Sequence, residues 1–169
     1  MNGQATGPGA PHRFPPAGSV GGWVPWTVVI AQSPDMYAVL QDFEVFPTGV
    51  RFTLRARFRP DTFDPIPATG KPSLLPGTLG GPTFAVTFSD GRSGKSEPGG
   101  TADGGVILQY SRGSGGSDEW WMAYWLSPLP PPGPLTWHVA WPEMGTPEDS
   151  VVVDARDLIE AANDAQTLW

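Results

Sequence analysis

The clearest hydrophobic pattern in the chain is a strict alternation of apolar and polar side chains over Val50–Phe58. Apolar side chains fall on one face of this segment and basic or polar ones on the other, which is typical of a half-buried strand. Before it, Pro47-Thr48-Gly49 has the composition of a turn, and Tyr37–Phe46 is predicted as the preceding strand. We therefore expect a hairpin whose two strands are joined through residues 47–49.

Short apolar runs between Gly-rich and Pro-rich stretches predict the other elements. The remaining predicted strands are Trp26–Ala31, Phe84–Ser89, Val106–Ser111, Glu119–Leu126, Leu135–Trp141 and Val151–Val153. A helix is predicted over Ala155–Ala165, with Asp154 as its N-cap. Its apolar stripe would consist of Leu158, Ile159 and Ala162. The pattern indicates a mostly-β fold, an antiparallel β-sandwich (immunoglobulin-like or jelly-roll-like) or a partly open barrel, with a short C-terminal α-helix. Of these we expect the sandwich.

Four stretches have loop or linker composition. Residues 60–82 are rich in proline, which excludes a regular helix and predicts an irregular crossover. Gly91–Gly105 is predicted as a mobile polar loop, and Arg112–Ser117 as a flexible link. Residues 1–22 contain few large apolar groups, so we expect a disordered Gly/Pro-rich tail followed by one domain over 23–169.

Composition narrows the classes of partner and location. The chain has 169 residues, which favours one domain, and it contains no cysteine, so disulfides and zinc–thiolate sites are excluded. Its net charge of −7 disfavours nucleic acid, whose binding depends on neutralising phosphates. We see no signal peptide and no apolar run of about 20 residues that would span a membrane. A cytoplasmic protein is therefore expected.

The motif search finds no convincing catalytic set. The only histidines are His12, in the expected tail, and His138, which we interpret as a satisfied strand histidine. Gly94-Lys95-Ser96 suggests a phosphate-binding loop, but Ser89 stands where that motif requires glycine. Asp118 and Glu119 would point to opposite faces of a strand, which argues against a paired carboxylate site. We expect no metal, no cofactor and no enzymatic activity.

A stripe of arginines shares the polar face of the central predicted strand, and it consists of Arg51, Arg55, Arg57 and Arg59. The simpler interpretation is a cross-strand ion ladder, since the predicted hairpin brings Asp42 and Glu44 near Arg51 and Arg55. The alternative is a binding patch for an anionic partner. We favour the ladder and keep both possibilities.

Tryptophans are numerous, and the cluster comprises Trp120, Trp121, Trp125, Trp137 and Trp141, with Trp23 and Trp26 upstream. A large aromatic core is the simpler explanation. Because Trp120 and Trp121 are adjacent, they face opposite ways on a strand. One face carrying Trp120, Met122 and Tyr124 is therefore a candidate platform for a protein or a sugar.

Two further features have a structural and a functional interpretation. The run Pro128–Pro134 would be a stiff connection between strands or, less readily, a polyproline ligand for an aromatic groove. The C-terminal helix presents Asp157, Glu160 and Asp164 on one side, which usually indicates a solvated face.

Three strings, PTGVRFTLRAR at 47–57, WLSPLPPPGPLTWHVAWPEMGTPE at 125–148 and the helix ending in Leu168-Trp169, carry a resemblance. The chain resembles hypothetical proteins of unknown function from GC-rich actinobacterial genomes, from about residue 25 onward. The resemblance implies a discrete domain and contributes no activity, ligand or site.

The leading hypothesis is a non-catalytic cytoplasmic module that binds another protein or supports an assembly. The alternatives are a small-ligand or carbohydrate binder that uses a Trp face, and an immunity-type inhibitor that neutralises a basic partner. The oligomeric state is left open.

Overall fold

A computed structural model describes residues 10–60, 82–96, 105–116, 118–142 and 145–169. Its elements are twelve strands and one helix. In chain order these are β1 (Ser19–Val20), β2 (Gly22–Val24), β3 (Val28–Ser33), β4 (Met36–Phe46), β5 (Gly49–Phe58), β6 (Thr83–Thr87), β7 (Ser93–Lys95), β8 (Ile107–Gly115), β9 (Glu119–Ser127), β10 (Pro134–Trp141), β11 (Thr146–Asp154), α1 (Arg156–Ala162) and β12 (Gln166–Thr167).

The strands form two main antiparallel sheets. The larger sheet has the order β2-β4-β5-β9-β8, and β3 pairs with a second part of β4. The smaller sheet has the order β11-β10-β6-β7, and β1 pairs with β12 in a separate two-stranded ribbon. This confirms the predicted fold class, a mostly-β antiparallel sandwich with one short C-terminal helix. The predicted hairpin is confirmed as β4–β5.

An aromatic core joins the facing sheets. Phe52 of the larger sheet packs edge-on against Trp137 of the smaller one, with ring centroids 5.1 Å apart. Phe84 from the smaller sheet stacks on Trp137 at 5.6 Å and contacts Tyr124 of the larger sheet edge-on at 5.2 Å. Burial of large rings removes much apolar surface from water, and these contacts hold the two layers together.

A bulge in β4 changes which residues face the core. The register with β5 shifts between Gln41 and Glu44, and Asp42 has a positive φ of 56°. The core-facing positions are Ala38 and Leu40 before the bulge but Phe43 after it. A bulge adds one residue to one strand, so the alternation of faces changes by one position. Glu44 therefore lies on the outer face of the sheet, opposite Arg51.

The sequence predicted disorder for residues 1–22, and the structure gives residues 10–22 defined contacts. We name residues 10–18 the N-terminal strap, because they cross the outer face of the larger sheet. His12 accepts a hydrogen bond from Trp125 Nε1 at 2.8 Å and donates its backbone N–H to Ser127 Oγ at 2.7 Å. His12 makes these bonds with its backbone N–H and carbonyl groups. Every residue except proline has both groups, so the composition of the segment does not reveal such contacts. Residues 1–9 lie outside the described part of the chain.

Two predicted loops contain strand. The Gly91–Gly105 loop includes β7, which pairs with β6, and the Arg112–Ser117 link continues β8 as far as Gly115. Small polar residues give no strand signal by themselves, but here they pair with an apolar neighbouring strand. Most of the predicted crossover at 60–82 falls outside the described residues.

The C-terminal helix is shorter than predicted. It ends at Ala162, and its N-cap is Ala155 rather than Asp154. Asp154 nevertheless accepts the backbone N–H of Arg156 at 2.9 Å, so its carboxylate still satisfies a free donor of the first turn. The buried stripe is Leu158, Ala161 and Ala162, in which Ala161 replaces the predicted Ile159.

Candidate functional site

The arginine stripe forms an ion-pair ladder on the outer face of the larger sheet. Arg51 Nε donates to Glu44 Oε2 at 2.9 Å, and Arg59 lies 3.8 Å from Asp35. Arg57 and Arg55 share the carboxylate of Glu119, at 3.1 and 3.5 Å. Asp42 does not take part, since the bulge moves it out of register. The cross-strand interpretation therefore describes this stripe, and its use as an anion-binding patch stays a prediction.

The candidate platform of Trp120, Met122 and Tyr124 is corrected by the structure. These side chains are 7%, 1% and 1% exposed and belong to the core between the sheets. The two faces of β9 were indistinguishable in the sequence because both carry large rings; pairing with β5 sets which face meets the smaller sheet. This face leaves no exposed ring on which a sugar could stack.

Tyr124 also forms a polar contact inside the core. Its hydroxyl lies 3.1 Å from Ser96 Oγ, and both residues are buried. Burial raises the pKa of Tyr124 above its usual value near 10, and the hydrogen bond with Ser96 opposes this only in part. The Gly94-Lys95-Ser96 string thus lies at the end of a short strand and contributes a core contact.

The remaining motif residues have structural roles. His138 Nε2 lies 3.0 Å from Thr87 Oγ1 on the neighbouring strand, which confirms a satisfied strand histidine. The Pro128–Pro134 run connects β9 and β10, and the carbonyl of Pro132 accepts a hydrogen bond from Ser89 Oγ at 2.7 Å. Glu119, considered with Asp118 as a carboxylate pair, is held by Arg55 and Arg57.

Several exposed apolar side chains lie on or next to the ribbon in which the two ends of the described chain meet. Strand β1 pairs with β12, and the backbone N–H of Leu168 donates to the Gly18 carbonyl at 2.7 Å. We name Val20, Trp23, Leu168 and Trp169 the apolar patch, and they are 45%, 63%, 58% and 86% exposed. Exposed patches that contain large aromatic rings mark interaction surfaces more often than isolated exposed residues do.

A groove opens beside this patch, between β2 and the acidic side of α1. We name it the Trp23 groove; it has a volume of about 360 Å³ and is lined by Trp23, Val24, Pro25, Trp26, Asp157, Glu160, Ala161 and Asp164. Ligand-binding clefts have volumes of roughly 300–1,000 Å³, so the groove is large enough for a side chain or a small ligand.

The groove has this shape because α1 lies directly on β2. A Cβ atom at Gly22 would lie 1.9 Å from the carbonyl oxygen of Ala161, so only glycine permits this approach. Trp26 is fixed at the base by an edge-on contact with Phe43 at 5.3 Å and by donation from its Nε1 to Asp157 Oδ2 at 3.2 Å. One indole is thus held in place while Trp23 is largely open to solvent.

The charged side chains that line the groove are all acidic. Asp157, Glu160 and Asp164 are all exposed, as predicted for this helix face. No basic side chain of the described residues forms an ion pair with any of them, including Arg156 of the same helix. By contrast, the carboxylates of Glu44 and Glu119 are paired with arginines.

The sequence contains the parts of this groove, but no local pattern of residues shows that they meet. Trp23 and Trp26 precede the tryptophan cluster in the sequence, and the acidic side chains lie on one side of the predicted helix. More than 130 positions separate Trp26 from Asp157, and the hydrogen bond between them is visible only in the structure. A glycine directly before Trp23 was the one local signal of close backbone approach.

Comparisons with protein-family models, curated proteins and solved structures find no match to this chain. The resemblance to actinobacterial hypothetical proteins therefore receives no support from them. Within the described ranges, no group of three or more His, Cys, Asp or Glu side chains is placed to hold a metal ion. No helix among the described residues is long and apolar enough to cross a membrane.

Proposed function

We propose that the protein is a non-catalytic module that binds another polypeptide through the apolar patch and the adjoining Trp23 groove. The observation that carries this proposal is the exposure of Trp23, whose side chain is 63% exposed beside a groove of ligand-binding size. Tryptophan is strongly enriched among the residues that dominate binding energy at interfaces. A fold that buries Trp120, Trp125, Trp137 and Trp141 leaves this ring uncovered.

The surroundings of Trp23 support a protein partner. Val20, Leu168 and Trp169 extend the apolar surface along β1 and the segment after β12. Charged carboxylates border it on the helix side. An apolar centre with a polar rim is the usual arrangement of a protein–protein interface.

Photo-crosslinking from single positions tests this proposal. A benzoylphenylalanine would replace Trp23 in one variant and Val152 in another, in the cell that makes the protein. Val152 is a matched control because it is 60% exposed but lies on β11 and does not line the groove. We expect one discrete polypeptide to crosslink at position 23 and not at position 152. Equal crosslinking from both positions, or none at position 23, would contradict the proposal.

The crosslinked polypeptide, once purified, permits a direct measurement of affinity. We expect Trp23→Ala to weaken binding by more than about tenfold in isothermal titration calorimetry, as for a hot-spot tryptophan. Val152→Thr is the matched control and should leave the dissociation constant unchanged. An unchanged constant for Trp23→Ala would show that the interaction uses another surface.

A further inference from the structure

We propose that the Trp23 groove recognises a cationic side chain, above all arginine, in a basic segment of its polypeptide partner. This inference rests on the proposed function, and it adds the chemistry that selects the partner. It is drawn from the combination of an open indole, a fixed indole and carboxylates that line one groove.

Charge complementarity identifies the occupant. Three carboxylates, Asp157, Glu160 and Asp164, line the groove, and none has a cationic partner among the described residues. No basic side chain lines the described part of the groove. An anionic segment would be repelled here, whereas a basic one would satisfy the carboxylates.

The indoles favour a cation over a neutral polar group. A guanidinium or ammonium placed over the face of a tryptophan is attracted by the negative face of the ring. Trp26 is held in position by Asp157 and Phe43, so little freedom is lost when a ligand contacts it. Trp23 also lines the groove and is largely exposed, so its ring is accessible to the same ligand.

Arginine fits this combination better than lysine. Its planar guanidinium stacks on an aromatic ring, while its N–H donors point outward in the guanidinium plane and reach neighbouring carboxylates. Lysine presents a compact charge that binds one group at a time and is more strongly hydrated. The groove is lined by both indole rings and several carboxylates. A guanidinium can stack on a ring and donate hydrogen bonds to carboxylates at the same time.

The test uses the full chain and two synthetic hexapeptides of nearly the same shape, hexaarginine and hexacitrulline. Citrulline replaces the charged guanidinium with a neutral urea, so any difference reports on charge. Binding is followed by the ¹⁵N-indole signals of Trp23 and Trp26, assigned with the Trp23→Phe and Trp26→Phe variants. We expect hexaarginine to shift both signals to saturation, and hexacitrulline to bind at least about tenfold more weakly.

Paired neutral substitutions separate the groove from overall charge. The variant Glu160→Gln/Asp164→Asn removes two charges from the groove, and we expect it to weaken hexaarginine binding about tenfold. The control Glu148→Gln/Asp149→Asn removes the same two charges from exposed positions on β11, and binding should change by less than about twofold. Equal weakening by the two variants would overturn the inference, since binding would then reflect net charge.

Failure of this inference can be told apart from failure of the proposed function. If the polypeptide crosslinked at position 23 binds Glu160→Gln/Asp164→Asn as tightly as the unaltered chain, the partner is real and cation recognition is wrong. If nothing crosslinks at position 23 but hexaarginine saturates both indole signals and discriminates against citrulline, the cationic groove stands and the proposed protein partner fails. Absence of both signals would overturn both.

Discussion

Arg51 and Glu44 face each other across the β4–β5 hairpin, and Glu44 is the more buried partner, with a side chain that is 6% exposed. One oxygen of Glu44 binds the Arg51 guanidinium, and the other accepts the backbone N–H of Gly21 at 3.0 Å. A single carboxylate therefore links the central hairpin to the start of β2. Because it is buried, its partners matter more than those of an exposed carboxylate.

Replacing Glu44 by Gln is expected to lower the free energy of unfolding by about 1–3 kcal/mol. The change leaves an amide that pairs poorly with the guanidinium of Arg51. Urea denaturation followed by tryptophan fluorescence measures the loss. A variant as stable as the original protein would show that the pair contributes nothing to folding.

A double-mutant cycle provides the comparison for this pair. The coupling of Arg57 with Glu119, whose side chains are 51% and 36% exposed, should be no more than about 1 kcal/mol because solvent screens it. The cycle on Arg51 and Glu44 should give the larger coupling. Equal values would indicate that burial of Glu44 has no energetic consequence.

Truncation of a buried and of an exposed tryptophan should change the stability of the protein by very different amounts. Trp120 is 7% exposed in the core, so Trp120→Ala is expected to cost about 3–5 kcal/mol of stability. Trp23→Ala should change stability by no more than about 0.5 kcal/mol, since most of its ring already contacts water. Thermal and urea unfolding measure both. The reverse order would mean that the sheet faces are assigned incorrectly.

Alkaline pH should destabilise the protein through Tyr124. Its pKa in the folded state is raised by burial above the usual value near 10, so the folded state favours the neutral phenol. The contribution of neutral Tyr124 to the free energy of unfolding is fully present below about pH 10. It is lost as the pH rises from there towards the pKa of Tyr124 in the folded state. Unfolding free energies measured between pH 8 and pH 11 should therefore fall at the high end. Tyr124→Phe should show a smaller fall, and an unchanged pH slope in this variant would contradict the assignment.

Removal of the N-terminal strap should expose Trp125, which is 3% exposed when the strap is present. Deleting residues 1–18 removes the carbonyl of His12 that accepts from Trp125, and we expect a loss of about 1–3 kcal/mol. Deleting residues 1–9 retains every contact described for the strap and is the control. Acrylamide quenching should increase for the longer deletion only. Identical quenching in the two deletions would argue against the strap.

A methyl group at Gly22 should disturb the contact between β2 and α1. The added Cβ would lie 1.9 Å from the Ala161 carbonyl oxygen, so Gly22→Ala is expected to lower stability by about 1–3 kcal/mol. Gly116→Ala is the control, because a Cβ there meets nothing within 4 Å. Hydrogen exchange of the α1 amides should accelerate in the first variant. Unchanged exchange would show that the helix does not depend on this approach.

The sequence by itself determined the strands whose side chains alternate or cluster. Val50–Phe58 shows a period of two because one of its faces is buried and the other is wet, and this local pattern predicted β5 correctly. The turn at 47–49 predicted the hairpin for an equally local reason. Strands such as β7 and the end of β8 could not be predicted, because their small polar residues form strand only by pairing with a neighbour.

Tertiary structure alone decided which aromatic rings are covered. Trp120 and Trp121 are adjacent and chemically identical, and only the packing of a second sheet on one face of β9 distinguishes them. The bulge at Asp42 likewise removed one expected ion-pair partner, since the extra residue places Gln41 rather than Asp42 opposite Thr53, whereas Glu44 keeps the register set by the turn and lies opposite Arg51. The Trp23 groove is formed by residues that lie far apart in the chain, such as Trp26 and Asp157. Contacts of that separation depend on how complete elements pack, which no local pattern of residues encodes.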